Sequence, residues 1–235
     1  MRIEPLGDSA LLVRVVEEFH PEKSLDAVLR GVHALERAAI PGVTELAPAY
    51  TTIGVFFDPA RIARDDGESS AFEALETRIE HAIKTASKPG RFWTAATPVI
   101  EVPVCYEAEF APDLAAVAEH AGLSQDEVIQ RHSSASYRVT CVGFTPGFPY
   151  LSGLPTELAT TRRATPRKEI PAGAVAIGGT QTGIYPRKSP GGWNIIGRTP
   201  LRLFDVERNP PSLFRAGDHI RFRKISRNEF EPFSA

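Results

Sequence analysis

Little in this chain of 235 residues points to redox, membrane or nucleotide chemistry: it has two cysteines and a single methionine. Cys105 and Cys141 are far from a C-x-x-C pair and each borders an apolar run, so buried thiols are expected. No apolar run approaches the roughly 20 residues that span a bilayer, and Arg2, Glu4 and Asp8 interrupt any signal-peptide core. The expectation is a cytoplasmic protein with no membrane segment. A net charge of -2 gives no basis for nucleic acid or an anionic membrane as partner. The P-loop pattern G-x-x-x-x-G-K-[ST] is missing, and Gly178-Gly179 is not followed by a lysine at the right offset. No G-x-G-x-x-G joins a strand to a helix, which argues against a dinucleotide site. With no H-x-H, H-E-x-x-H or carboxylate cluster, a catalytic metal is not expected, and without a G-x-S-x-G elbow covalent hydrolysis has weak support. Internal repeats and low complexity are absent as well.

Ser9–Val16 reads as a strand, followed by a helix opened by Pro21 with its apolar stripe at Leu25, Val28, Leu29, Val32 and Leu35. Pro41-Gly42 stops it. Strands come next near Val43–Pro48 and Thr51–Phe57, then a charged loop between Asp58 and Ser70. A second helix runs through Phe72, Leu75, Ile79 and Ile83 and ends before Pro89-Gly90. Thr97–Val104 alternates, and Pro98 and Pro103 place it at a sheet edge. The order is β-α-β-β-α-β, the split βαβ or ferredoxin-like arrangement, with the last strand belonging either to the first domain or to the second. The first domain is taken as residues 1–90 and the second as 91–235. In the second, Asp113 is a helix N-cap, Ser124 with Glu127 forms a capping box, and Tyr137–Gly143 is a strand. The later segments AVAIGG, GIYP, NIIG, LRLFD and HIRFRK are short strands, predicting a β-barrel or closed sandwich.

The densest feature is Phe144–Arg198, where glycine and proline recur between short β-branched runs such as Ala174–Ile177. Phe148, Tyr150, Gln181, Thr182, Tyr185, Ser189 and Trp193 stand beside these turns, which bring small polar groups and peptide N–H groups together. Donors beside Gln181, Thr182 and Ser189 suit a carboxylate, amide or other small polar ligand; the alternative is barrel turns with no ligand. His132, where a helix ends, is a candidate general acid or amide-binding donor, since an imidazolium is favoured by the helix dipole. The alternative is a surface or C-capping histidine. His20, His33, His81, His120 and His219 show no paired spacing. Arg162, Arg163, Arg167 and Lys168 form a basic group, read either as a solvated loop or as anion recognition, with Arg167 after Pro166 suited to bidentate carboxylate binding. Trp193 after Gly191-Gly192 is a pocket wall or plain core.

These residues carry a resemblance. GDSALLV (Gly7–Val13), Pro48–Tyr50, CYEAEFAPDL (Cys105–Leu114), GFTPGFPYLSGLP, TPR, IPAGAVAI, QTGIYP, SPGGW and IIGRTPLRLFD occur in one order along nearly the whole chain. The chain resembles the family of 5-oxoprolinase B subunits, also known as KipI-type proteins or allophanate hydrolase subunit 1. It departs from the family pattern at Glu107-Ala108 and Ala111, where many members have glycine. The resemblance implies an α+β fold: a ferredoxin-like N-terminal domain followed by a cyclophilin-like β-barrel carrying the site. It also implies ATP as co-substrate of an assembled complex. The implied partner is the KipA-type C subunit of 5-oxoprolinase, joined in some cases by a LamB/YcsF-type A subunit. The activity would be ring opening of 5-oxo-L-proline to L-glutamate. Carried onto this sequence, His132, Gln181 and Thr182 would act on the amide, with Phe148, Arg167, Tyr185, Ser189, Gly191, Gly192 and Trp193 binding the substrate. The same family offers two other readings, inhibition of a sensor histidine kinase and carboxyl transfer to urea or a related amide. The latter needs biotin on a Met-Lys-Met carrier, and the only methionine here is Met1.

Overall fold

The computed structural model describes residues 1–20, 23–63, 70–85 and 98–231. Pro21, residues 64–69 of the charged loop, Pro89-Gly90, the start of the strand at Thr97 and the boundary at 90/91 lie outside the described residues. The chain forms two compact units, Met1–Ala96 and Thr97–Ala235.

In the first unit, β1 (Arg2–Pro5), β2 (Ala10–Arg14), β3 (Val43–Ala49) and β4 (Thr52–Phe57) form a four-stranded antiparallel sheet in the order β1-β2-β4-β3. Period-two alternation turns Leu11, Val13, Ile53 and Val55 onto one face. Against it pack α1 (Lys23–Ala38), through Val28 and Leu35, and α2 (Ala71–Thr85), through Ala74, Leu75 and Ile79. Both expected stripes are therefore core faces, with Val32, Phe72 and Ile83 at their half-buried margins. Burying one such aliphatic side chain stabilises by about 1.5–3 kcal/mol. The short β1, RIEP, is not legible as a strand in the sequence because its four residues show no apolar alternation.

The strand expected after α2 does not join this sheet over its described residues. β5 (Ile100–Cys105) runs parallel to β13 (His219–Ile225) inside a closed seven-stranded barrel, so the second of the two placements holds. The remaining barrel strands are β6 (Tyr137–Val142), β7 (Pro149–Ser152), β9 (Ala174–Gly178), β10 (Gln181–Ile184) and β12 (Asn194–Arg198), in the order β10-β7-β6-β13-β5-β12-β9. The edge position expected for β5 is corrected, since it lies between β13 and β12. Pro103 is tolerated there because β12 registers with β5 only at Arg198↔Cys105, leaving no ladder bond on its other side to lose.

A two-stranded ribbon of β8 (Arg167–Ile170) and β11 (Ser189–Gly191) accompanies the barrel. LRLFD is not a strand: only a single bridge, Phe204↔Ser212, forms there. Two helices, α3 (Leu114–Ala121) and α4 (Gln125–Ser134), add Val117, Ala118, Val128 and Ile129 to the barrel core beside Val104, Val139 and Phe222. The expected Ser124–Glu127 capping box closes the start of α4 in both directions. Both cysteines are free and buried, and burial pushes the Cys105 thiol up.

Candidate functional site

Strand alternation divides the residues of Phe144–Arg198 between two faces of the barrel wall. Val175, Ile177, Ile184 and Ile196 point into the core, while Ala174, Ala176, Tyr185 and Ile195 build a second cluster with Phe148, Ile170 and Trp193. Thr182 goes inward and its neighbour Gln181 therefore outward.

His132 belongs to the inner face. It sits in the last turn of α4, but its ring is fully buried and stacks on Phe222 with centroids 4.5 Å apart. Thr182 Oγ1 donates to the Ala176 carbonyl at 3.0 Å, so its single proton is engaged and it accepts from His132 Nε2–H at 3.1 Å. Nδ1 is then the bare nitrogen and accepts the Tyr106 hydroxyl at 2.8 Å. The Tyr137 hydroxyl donates to the His132 carbonyl at 2.8 Å. Burial lowers the imidazole pKa from 6.5 to about 3, so the ring is neutral. The expected helix-end imidazolium is corrected: desolvation outweighs the dipole, whose favourable contribution is about 0.3–2 kcal/mol. Neither a surface nor a capping role describes it, because both ring nitrogens are bonded inside the core.

The outer cluster shows what the glycines are for. A Cβ on Gly178 would stand 2.5 Å from Trp193 Cδ2, one on Gly183 2.9 Å from Phe148 Cζ, and one on Gly191 2.3 Å from Tyr185 Oη. Each glycine seats a ring against backbone. The expectation of open N–H groups is corrected in part: Gly179 N–H donates to Thr160 O at 2.8 Å and Gly173 N–H to Tyr185 O at 2.7 Å. Gly192 O accepts from Arg163 N–H at 2.8 Å. Phe148 is the hub, within 4.8–5.6 Å of the rings of Tyr150, Tyr185, Trp193 and Phe144. Burial raises the Tyr185 phenol, against a bond from the Trp193 backbone N–H, and burial raises that of Tyr150, so both stay protonated at neutral pH.

Phe144 is 64% exposed and holds φ at +68°, a left-handed backbone that L-residues enter at a cost of about 1–2 kcal/mol. Two hydroxyl oxygens, Thr145 Oγ1 and Ser189 Oγ, are buried without a hydrogen-bond partner. Phe144 thus combines an exposed ring with a left-handed backbone, and the two hydroxyls are buried without a protein partner, features of the kind that recur at binding sites.

The basic group does not act as one unit. Arg167 forms a bidentate pair with Asp113, at 2.8 Å for each bond, and Arg163 donates to the same carboxylate at 2.9 Å. Ile195 N–H adds a fourth bond to Asp113 at 2.7 Å. One expectation is corrected here, and another, Asp113 as the N-cap of α3, holds in position alone. Arg167 has the fork geometry foreseen for it, but the carboxylate it holds belongs to this chain. Asp113 stands at the N-terminal boundary of α3, yet its side chain makes no capping bond. Arg162 instead lies over the Trp193 ring, 5.7 Å from its centroid, and Trp193 is itself buried in the outer cluster, as the core reading has it. Sequence reasoning missed Tyr106, Asp113 and Phe144 as site-building residues. The signal for Phe144 was present in its glycine-flanked motif; Asp113 is linked to its partners only through the fold.

Among the described residues, no group of three or more His, Cys, Asp or Glu is placed to hold a metal ion. No helix among them is long and apolar enough to cross a membrane.

The model for the carboxyltransferase domain, subdomain C and D, matches residues 1–214. The chain belongs to that family. It is 40% identical over 235 residues to the 5-oxoprolinase B subunit of Bacillus subtilis (strain 168), covering 99% of this chain and 96% of that protein. It is 43% identical over 219 residues to the 5-oxoprolinase B subunit of Escherichia coli O157:H7, covering 92% and 93%. Among solved structures, that of TTHA0988 superposes with a TM-score of 0.76 at 35% identity over 92% of this chain. This chain spans 40% of the length of the TTHA0988 chain.

Proposed function

We propose that this chain is the B component of an ATP-dependent 5-oxoprolinase, which opens 5-oxo-L-proline to L-glutamate. Its partner in that reading is a KipA-type C subunit, joined in some complexes by a LamB/YcsF-type A subunit. The observation that carries this is the end-to-end 40% identity to the corresponding protein of Bacillus subtilis. Two features favour a shared site in that reading: Phe144, in ring contact with Phe148, is exposed on a left-handed backbone, and two buried hydroxyls lack protein partners.

A lactam is a stable amide, and ring opening requires its oxygen to become part of a leaving group, the chemistry that ATP supplies when bound. The glycine turns of this chain fit the nucleotide poorly, because Gly179 and Gly173 N–H groups are already bonded within the fold. In the proposed reading the nucleotide binds on another member of the complex. This chain's part is to bind and orient the lactam on the Phe148–Trp193 face and to exclude water from it. Buried His132 and Thr182 act behind that face, fixing β10 by their bonds to one another and to Ala176.

Co-expression with the KipA-type and LamB/YcsF-type subunits of the same source tests the reading. The complex should release glutamate and ADP from ATP only when 5-oxo-L-proline is present, and the isolated chain should release neither. A complete complex that makes no glutamate, or full activity from this chain alone, would overturn it.

A further inference from the structure

Of the four basic residues at 162–168, Arg163 and Arg167 have their charge shared with Asp113. Lys168 follows Arg167 in β8 and so projects from the opposite face of the ribbon. Arg162 is different: among the described residues it has no carboxylate within ion-pair distance, and its guanidinium rests over the Trp193 ring at 5.7 Å.

Its backbone is held on both sides. Thr160 and Gly179 exchange N–H···O bonds of 3.2 and 2.8 Å, and Asn194 Nδ2 donates to Thr161 O at 2.9 Å. Arg163 N–H bonds to Gly192 O at 2.8 Å, while its side chain is tied to Asp113. A long surface side chain normally loses rotamer freedom on binding, but here the segment and the stacking ring set its position beforehand. The ring beneath is fixed in turn, by Gly178 at the end of β9 and by the Tyr150 ring 5.8 Å away.

The result is an exposed planar cation, without a carboxylate partner among the described residues, seated over a buried aromatic cluster. A guanidinium held in this way suits bidentate pairing with the carboxylate of a small molecule. We propose that Arg162, over Trp193, anchors the carboxylate of the lactam substrate, the role that the sequence assigned to Arg167. This assignment rests on the oxoprolinase reading. Asp113 is the positioning residue of the arrangement: by neutralising Arg163 and Arg167 it leaves Arg162 as the group that an incoming carboxylate pairs with.

The test uses the assembled complex and measures glutamate formation against 5-oxo-L-proline concentration for wild type, Arg162→Met, Arg162→Lys and Lys168→Met. Arg162 is exposed, so its replacement leaves the fold intact. Loss of a charge-assisted bond predicts a KM higher by about 10- to 100-fold in Arg162→Met, with kcat within about twofold. Arg162→Lys keeps the charge without the planar fork and should fall between, and Lys168→Met should match wild type. An unchanged KM in Arg162→Met overturns the assignment, as does an equal rise in Lys168→Met, which would indicate a diffuse field. A fall in kcat alone overturns it also. These outcomes leave the oxoprolinase reading standing. A wild-type complex that forms no glutamate removes that reading, and the assignment with it.

Discussion

Replacing Asp113 with asparagine tests the central strut of the outer face. In the native arrangement Oδ1 accepts from Arg163 and Arg167, and Oδ2 accepts from Arg167 and from Ile195 N–H. An asparagine amide retains one acceptor and turns a donor toward two donors, whichever way it is oriented. Charge-assisted hydrogen bonds contribute about 1.5–3 kcal/mol each, so two lost bonds set an upper limit near 6 kcal/mol. The guanidinium side chains are 25% and 37% exposed and can turn partly to water, which reduces the cost. The expected loss is about 2–3 kcal/mol of unfolding free energy, or roughly 5–10 °C in Tm for a chain of this length. Urea denaturation followed by tryptophan fluorescence measures the first and a thermal melt the second. A loss below about 1 kcal/mol would refute the argument that a single carboxylate organises these arginines. A double-mutant cycle with Arg167→Met should return a coupling energy in the range of about 0.5–3 kcal/mol for contacting residues.

The buried imidazole makes stability pH-dependent. Its folded pKa lies near 3 and its unfolded value at 6.5, so its contribution is complete above pH 6.5 and is lost as the pH falls toward 3. Between pH 6.5 and 5 the decline should be about 1.6 kcal/mol, the slope approaching about 1.4 kcal/mol per pH unit only below the unfolded pKa. His132→Gln should flatten that slope, and matching slopes in denaturation series at several pH values would count against a neutral core histidine. At Phe144, with φ of +68°, a glycine should be about 1 kcal/mol more stable than an alanine, since both lack the ring and only glycine enters this region freely. Equal unfolding free energies for the two variants would remove the claim of strain.

Local pattern determined a good deal of this molecule. The apolar stripes of α1 and α2, the capping box at Ser124 and the burial of both cysteines follow from residue spacing, because a helix turn or a cap needs only neighbours within four positions. The crowding of short strands after Tyr137 likewise pointed to a closed β architecture. The ribbon strand β8, whose sequence is RKEI, and the three residues of β11 were hidden, since charged or very short segments show no alternation until a partner lies beside them. Tertiary structure alone decided the site. His132 meets Thr182 across 50 positions, and Asp113 collects Arg163, Arg167 and Ile195 across 50, 54 and 82. Those meetings depend on which way each strand faces once the barrel closes. Closure turned one foreseen ligand arginine onto an internal carboxylate, withdrew the candidate histidine from water, and left Arg162 over Trp193 with no carboxylate partner among the described residues.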